Sequence, residues 1–361
     1  NLYAGWYGSR FTGFENFLDN HHKKLKKPLI VTEYGAGADP RVRSLTPERF
    51  DFSLEYQVKY HTHYVKEILK RDFVAGVNIW NLADFASETR QDTNPFVNSK
   101  GVMTLDRKPK DAYYLYQAFL KTDPFIAIGS KLWNHRSGFT DSENGTVSTQ
   151  PIQIFTNLKS ATLYQNGKSL GEKFNNKDKT LVWNVPFVNG ENLLEVVSKN
   201  DGEITKDFHK VDFNLIDKNL DSKKIPFESL RITLGSKRYF MDELTKEIWL
   251  PAESINKENT SWGVVGGEYF KMKNTSLELL QQMKLTGMAQ AYEAALALPI
   301  DQHPETHQLL AQMIESEQQH RALKKMKMFI RLSKLSYSVS VTDIDCNANR
   351  KLSKEKLMML A

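Results

Sequence analysis

The chain has 361 residues, 40% of them hydrophobic and 25% charged, which is the composition of a folded protein too long for one ordinary domain. The formal net charge is +6, and the single cysteine, Cys346, excludes an internal disulfide framework and a multi-cysteine zinc site. No apolar run reaches the roughly 20 residues of a membrane-spanning helix, so we expect no membrane span. No signal peptide is visible near Asn1, and the sequence assigns no localisation.

The first segment, residues 1–128, is predicted to alternate strands and helices. Leu29–Thr32 is a short β-branched run that ends at Glu33, and Phe73–Trp80 is a second apolar run, as in buried parallel strands. The predicted helices span 47–71 and 109–120, with expected buried faces formed by Phe52, Tyr56, Tyr60 and Tyr64 and by Tyr113, Tyr116 and Leu120. This alternation is typical of an α/β barrel, whose functional groups lie at the carboxyl ends of strands. Glu33 and Trp80 occupy such ends.

Several motifs of this segment recur in the same order in family 2 glycoside hydrolases, which include the β-galactosidases and the β-glucuronidases. They are NLYAGWY at 1–7, TEYG at 32–35, IWNLADF at 79–85, and NSKG at 98–101 followed by DRKPKDAYY at 106–114. The segment resembles only the last third of the catalytic barrel of that family. The resemblance implies a partial (β/α)8 TIM barrel that contains its last strands.

The resemblance also implies roles for five residues in a retaining mechanism. Glu33 would be the nucleophile that forms a covalent glycosyl-enzyme, and Tyr3 would be the tyrosine that hydrogen-bonds it. Trp80 would offer an apolar platform for the sugar ring. Asn98 and Lys100 form the Asn-x-Lys pair that contacts the sugar carboxylate in β-glucuronidases.

The choice of sugar is left open by these motifs. The Asn-x-Lys pair also occurs in relatives with neutral substrates, and the sequence at 106–114 is more similar to the β-galactosidase branch. We therefore predict a β-galactosidase acting on a β-galactoside or related glycan, with β-glucuronidase as the alternative. We expect neither a cofactor nor a metal. The nearby histidines are predicted to lie on a solvated surface; they are His21, His22, His61 and His63.

A retaining glycosidase also needs a second carboxylate, which acts first as an acid and then as a base. In the family this residue follows an asparagine on an earlier barrel strand, and the present sequence contains no Asn-Glu dipeptide. Two predicted strands are also too few to close a barrel. We therefore expect the chain to be inactive by itself, with the acid/base encoded before Asn1. The intact hydrolase would be bacterial, and periplasmic or secreted.

Two β-rich regions follow. Residues 129–216 contain short predicted strands at 151–155, 161–164, 180–185 and 192–197, with a hairpin signal at Asn166–Gly167, which favours an immunoglobulin-like β-sandwich. Residues 217–271 comprise a polar linker and a partial malectin-like β-module, a resemblance carried by 231–236, 248–251 and 261–267. The aromatic residues of this module are expected to be core or frayed rather than sugar-stacking; they are Tyr239, Trp249 and Trp262.

The last segment, residues 272–361, is predicted to be all-α. It holds most of the methionines but a single glycine, Gly287, and helices are predicted at 277–298, 304–335 and 353–360. LLQQMKLTGM at 279–288 and DIDCNANR at 343–350 resemble the N-terminal domain of the ATP-binding helper protein of bacterial insertion sequences. Because no phosphate-binding loop occurs, ATP binding is not expected.

The change in composition suggests that a hydrolase gene was interrupted by a mobile element, with the helper sequence starting at Met272, although an artefact of sequence assembly would give the same pattern. A rival function follows from the same segment. Residues 321–334 carry six basic side chains and no acidic one, which suits weak contact with nucleic acid or with a transposase.

Overall fold

The computed structural model describes residues 3–7, 11–88, 90, 92–175, 177–200, 202–220, 222–225, 229–252, 280, 283–296, 304 and 306–333. Contacts divide the chain into two compact units, Asn1–Met272 and Lys273–Ala361. Several predictions lie outside the described residues, namely those for Trp262, Cys346, 261–267, 343–350 and 353–360. Within the described part of the chain, no helix combines the length and the apolar character needed to cross a membrane.

The barrel segment, residues 3–122, contains three helices and five short strands. In chain order they are α1 (Thr12–Leu25), β1 (Leu29–Tyr34), β2 (Val42–Arg43), α2 (Leu54–Leu69), β3 (Val74–Ile79), β4 (Phe85–Ala86), β5 (Val97–Asn98) and α3 (Asp111–Leu120). Strands β1 and β3 pair in parallel, so their carboxyl ends meet at the same edge. The sequence analysis did not predict α1.

Helix α2 begins later than predicted because its amino-terminal boundary is set by a cap. Phe52 has a φ of 57°, outside the helical region, and the Ser53 hydroxyl accepts a hydrogen bond from the backbone N–H of Tyr56 at 3.0 Å. The predicted aromatic face of α2 is confirmed, since Tyr56, Tyr60 and Tyr64 are buried in one cluster.

Helix α3 has a different buried face from the one predicted. Leu120 is 73% exposed, whereas Ala112, Leu115 and Ala118 are buried. Leu115 and Ala118 pack in a cluster with Val58 of α2 and Phe155 of the β-sandwich. The prediction was wrong because α3 packs against both α2 and the β-sandwich, and the face that contacts them is the one that becomes buried.

The β-sandwich follows the barrel segment. Its strands are β6 (Ile126–Ile128), β7 (His135–Phe139), β8 (Ser148–Thr156), β9 (Ser160–Gln165), β10 (Lys168–Phe174), β11 (Thr180–Phe187), β12 (Gly190–Asn200) and β13 (Glu203–Ile216). They form a five-stranded sheet of order β10-β9-β12-β13-β7 and a three-stranded sheet of order β11-β8-β6. One apolar core contains residues from both sheets. Asn166 and Gly167 turn between β9 and β10 with positive φ, as the hairpin signal predicted.

A third sheet joins the later β-strands to the barrel segment. The strands β14 (Ile232–Thr233), β15 (Tyr239–Met241) and β16 (Ile248–Pro251) form the order β14-β16-β15-β2. Tyr239 is buried against Trp133, with 5.4 Å between the ring centroids, and Trp249 is partly exposed.

The second unit contains the helices α4 (Thr286–Leu296) and α5 (Thr306–Ser333). Gly287 lies so close to α5 that a Cβ there would be 2.3 Å from the carbonyl oxygen of Ser316. The Glu317 carboxylate accepts hydrogen bonds from the backbone N–H groups of Gly287, at 2.8 Å, and Met288, at 3.2 Å. The only glycine of the segment therefore permits the contact between the two helices.

Candidate active site

The carboxyl ends of β1 and β3 bring Glu33 and Trp80 to the same edge of the barrel segment. The backbone N–H of Trp80 donates to the carbonyl of Tyr34 at 2.7 Å, which continues the pairing one residue beyond β3. A Cβ at Gly35 would lie 2.0 Å from the carbonyl oxygen of Trp80. The glycine of the TEYG motif therefore allows the chain after β1 to approach the chain after β3 directly.

Tyr3 reaches Glu33 from a turn at the start of the described chain. The backbone N–H of Trp6 closes this turn by donating to the Tyr3 carbonyl at 2.9 Å, and Gly5 has a φ of 82°. Two tyrosines of α2 hold the turn: Tyr64 donates to the Ala4 carbonyl at 2.9 Å, and Tyr56 donates to the Gly5 carbonyl. The tyrosines of α2 therefore also hold the turn that carries Tyr3.

The Tyr3 hydroxyl donates a hydrogen bond to Oε1 of Glu33. Burial, together with the neighbouring Glu33 carboxylate, raises the pKa of Tyr3 above its usual 10.0. The phenol therefore stays protonated at neutral pH and remains a donor, which stabilises negative charge on Glu33.

Lys100 is buried beside the rings of Tyr3 and Tyr7. It is 2% exposed, and its Nζ donates to the Tyr7 hydroxyl at 2.8 Å and lies 5.8 Å from the centroid of the Tyr3 ring. The backbone N–H of Lys100 donates to Oδ1 of Asn98 at 3.3 Å. The predicted pair therefore adjoins the Tyr3–Glu33 hydrogen bond and lies away from bulk solvent.

Trp80 belongs to the same group through its backbone. The N–H of Asn81 donates to the carbonyl of Lys100 at 3.2 Å, so the chain after β3 is joined to the Asn98–Lys100 loop. The Trp80 side chain is 37% exposed and meets Phe85 edge-on, with centroids 6.0 Å apart. All five residues chosen from the sequence thus occupy one connected region.

The sequence analysis missed Tyr7 and Arg90. Arg90 Nη1 donates to the Tyr7 hydroxyl at 3.3 Å, so Tyr7 contacts two cationic side chains, those of Arg90 and Lys100. Burial acts to raise the pKa of Tyr7, but Lys100 and Arg90 outweigh it and lower that pKa below 10.0. Tyr7 lies in the first quoted motif, whereas Arg90 carries no local signal.

The prediction of a solvated histidine surface is wrong for His61. Its side chain is fully buried, its Nδ1 is 2.9 Å from the Tyr116 hydroxyl, and burial lowers its pKa to about 3. Helical spacing did not reveal this because α3 covers that side of α2. His63 is half-buried and lies 3.1 Å from Oε2 of Glu15. Among the described residues, no three histidine, cysteine or acidic side chains are grouped for metal binding.

Both units of the chain contain segments that are similar to known protein families. Residues 1–122 match the family described as "Glycosyl hydrolases family 2, TIM barrel domain", residues 148–206 match a domain of unknown function, and residues 278–361 match "IstB-like ATP binding protein". A β-glucuronidase from Bacteroides fragilis is 34% identical over 215 residues, which are 57% of this chain and 30% of that protein.

Solved structures give the same correspondence. The crystal structure of Bacteroides uniformis β-glucuronidase superposes with a TM-score of 0.70 at 36% identity, over 74% of this chain and 32% of that chain. Bacteroides uniformis β-glucuronidase 2, covalently bound to cyclophellitol-6-carboxylate aziridine, gives 0.68 at 35% identity, over 74% and 32% of the two chains. The chain spans about a third of the length of these relatives. Residues 1–122 are therefore similar to the TIM barrel domain of glycosyl hydrolase family 2, and residues 278–361 are similar to the IstB-like ATP binding proteins.

Proposed function

We propose that the barrel segment carries the nucleophile side of a retaining β-glycosidase site, with Glu33 as the nucleophile. The observation that carries this proposal is the hydrogen bond from Tyr3 to Glu33 at the carboxyl end of β1. The phenol fixes one oxygen of the carboxylate through this hydrogen bond. The other oxygen is then directed to attack the anomeric carbon of a sugar and form a covalent glycosyl-enzyme.

The sugar that fits this site best is a β-glucuronide, which the sequence analysis ranked second. Lys100 and Arg90 converge on Tyr7, and together they offer two positive charges and a phenol; Lys100 is buried, whereas the Tyr7 side chain is half-exposed. A sugar carboxylate pairs with these cations by charge as well as by hydrogen bonds, whereas the neutral hydroxymethyl group of a galactoside has no charge to pair with them. The names of the relatives support the same choice. Trp80 forms the apolar platform for the ring.

The reaction of this chain stops at the glycosyl-enzyme in our proposal. The sequence has no Asn-Glu dipeptide that would supply the family's acid/base, and a general acid or base contributes about 10²–10⁴-fold to each step. A leaving group that departs without protonation does not need the general acid. Hydrolysis of the intermediate still needs the base.

We also propose assignments for the two β-rich regions that follow the barrel segment. The sandwich at 129–216 would be an immunoglobulin-like support, because its core is closed and apolar. Residues 217–271 would comprise a linker and a truncated malectin-like carbohydrate-binding module. They contribute β14–β16 to the sheet that includes β2.

The test uses aryl glycosides that need no acid. The full chain is mixed with dinitrophenyl 2-fluoro-β-glucuronide and, separately, with the matching 2-fluoro-β-galactoside, and dinitrophenolate release is followed by absorbance. We expect release of about one equivalent per chain, faster with the glucuronide, followed by very slow turnover.

The matched control is Glu33→Gln, which keeps the size of the side chain and its acceptor oxygen for Tyr3. This variant should release no dinitrophenolate above the spontaneous rate. Faster reaction with the galactoside would restore the β-galactosidase interpretation, and equal release from Glu33→Gln would remove Glu33 as the nucleophile.

A second function is proposed for residues 321–334, of which the structure describes those up to 333. The basic side chains of this stretch of α5 are exposed, and they include Lys324, Lys325 and Lys327. Such a face favours weak contact with nucleic acid or an acidic transposase surface. Binding of the chain to duplex DNA at low salt, lost steeply as salt rises, would support it, and binding insensitive to salt would contradict it.

A further inference from the structure

A buried ion pair lies behind the Asn98–Lys100 loop, and the proposed chemistry does not use it. The Nζ of Lys110 is fully buried and lies 2.8 Å from Oδ1 of Asp84. It also donates to the carbonyls of Ala38, at 2.7 Å, and Ser99, at 3.1 Å. One ammonium group therefore joins three segments, which follow β1, β3 and β5.

Asp84 completes the attachment from the other side. Its Oδ1 also accepts a hydrogen bond from the backbone N–H of Gly101 at 2.8 Å. A Cβ at Gly101 would lie 2.2 Å from the backbone nitrogen of Asp84, so the two segments are in direct contact. Lys100 is thus flanked by two backbone groups, of Ser99 and Gly101, that the ion pair holds.

Neither Asp84 nor Lys110 has a role in the proposed attack on the sugar. Burial lowers the pKa of Lys110 and raises that of Asp84, so both charges are costly to keep inside the protein. A pair of apolar side chains would fill the same space at less cost but would not anchor the carbonyls and the N–H group. The geometry therefore favours a role in fixing the loop.

We propose that Asp84 and Lys110 are positioning residues, which hold the Asn98–Lys100 loop so that its polar groups meet the substrate carboxylate. The inference rests on the proposed function, because it assumes that this loop recognises a carboxylate. Glu33 and Trp80 are fixed mainly by the parallel pairing of β1 with β3 and by the hydrogen bond from the Trp80 N–H to the Tyr34 carbonyl, which do not involve the ion pair. Loss of the pair should therefore weaken recognition of the carboxylate more than attack by the nucleophile.

The experiment compares two probes on the full chain, dinitrophenyl 2-fluoro-β-glucuronide and the corresponding 2-fluoro-β-glucoside, which lacks only the carboxylate. In Lys110→Met and in Asp84→Asn, the labelling rate with the glucuronide should fall about 10- to 100-fold, because small misplacements of binding groups have effects of this size. The rate with the glucoside should change by less than about threefold. Lys131→Met, which removes the partly exposed ion pair with Asp207 on the sandwich, is the control and should change neither rate.

The ratio of the two rates distinguishes positioning from simple loss of structure. If both variants lose reaction with both probes equally, or keep the wild-type ratio, the positioning role is wrong while the proposed function stands. If the wild-type chain reacts with neither probe, or does not prefer the glucuronide, the proposed function fails and the positioning role fails with it.

Discussion

Among the described residues, the barrel segment buries more charged side chains than the β-sandwich does. The sandwich encloses a core made of aliphatic and aromatic residues from two sheets, with Ile152, Val185 and Phe187 completely inaccessible. The barrel segment has a buried apolar cluster as well, but it also buries several charged groups, such as Lys100 and Lys110, whereas the sandwich buries Arg136. Burial of apolar surface stabilises a fold wherever it occurs, whereas buried charges are costly and require specific partners. The charges of the barrel segment therefore depend on specific partners to a greater extent than the core of the sandwich does.

The largest effect on stability is expected in the sandwich. Phe187 is fully buried and stacked on Phe213 at 5.0 Å, so Phe187→Ala should lower the free energy of unfolding by about 3–5 kcal/mol. Phe174→Ala, at a position that is 74% exposed in the same domain, is the matched control and should change it by less than about 0.5 kcal/mol. Urea denaturation of the full chain measures both. Similar values for the two variants would contradict the assignment of the core.

A smaller effect, confined to function, is expected for Lys100 in the barrel segment. Replacing it with methionine removes a charged donor from the proposed carboxylate site, and hydrogen bonds to charged groups contribute about 1.5–3 kcal/mol. The labelling rate with the 2-fluoro-β-glucuronide should therefore fall about 10- to 100-fold in Lys100→Met. The rate with the 2-fluoro-β-glucoside should be nearly unchanged. An equal loss with both probes would mean that Lys100 supports the fold rather than the carboxylate.

The smallest effect concerns Tyr7 and depends on pH. The pKa of Tyr7 is lowered below 10.0, and once the phenol loses its proton the phenolate neutralises the adjacent Lys100. The rate of glucuronide labelling should therefore be constant near neutral pH and fall as the pH rises through that pKa. Tyr7→Phe should lose about 0.5–1.5 kcal/mol of recognition at neutral pH and should lack the fall on the alkaline side. If the labelling rate of Tyr7→Phe still falls at alkaline pH as in the wild type, the fall belongs to another group.

The sequence predicted the features of both regions that depend on local patterns. The strands that carry Glu33 and precede Trp80 followed from short apolar runs, and the Asn166–Gly167 turn followed from its residue types. Helix α1 was missed even though Phe14 and Leu18, four residues apart, are its buried residues. That spacing was a usable signal.

Other features depend on contacts between residues distant in the chain. The burial of His61 is caused by Tyr116 on another helix, and the pairing of β2 with β15 joins segments about 200 residues apart in the sequence. The convergence of Arg90 and Lys100 on Tyr7 likewise arises only when three loops meet. Local sequence patterns carry no information about contacts between residues distant in the chain. The contacts of His61 and of Tyr7 could therefore not have been predicted from them.

The most direct test of the account is to identify the residue that carries the sugar. The full chain is reacted with dinitrophenyl 2-fluoro-β-glucuronide, its intact mass is measured, and the labelled peptide is sequenced by mass spectrometry. We predict one label per chain, on Glu33, in the peptide that contains the TEYG motif. A label on another carboxylate, or no label on a chain that circular dichroism indicates to be folded, would contradict the proposal that Glu33 is the nucleophile.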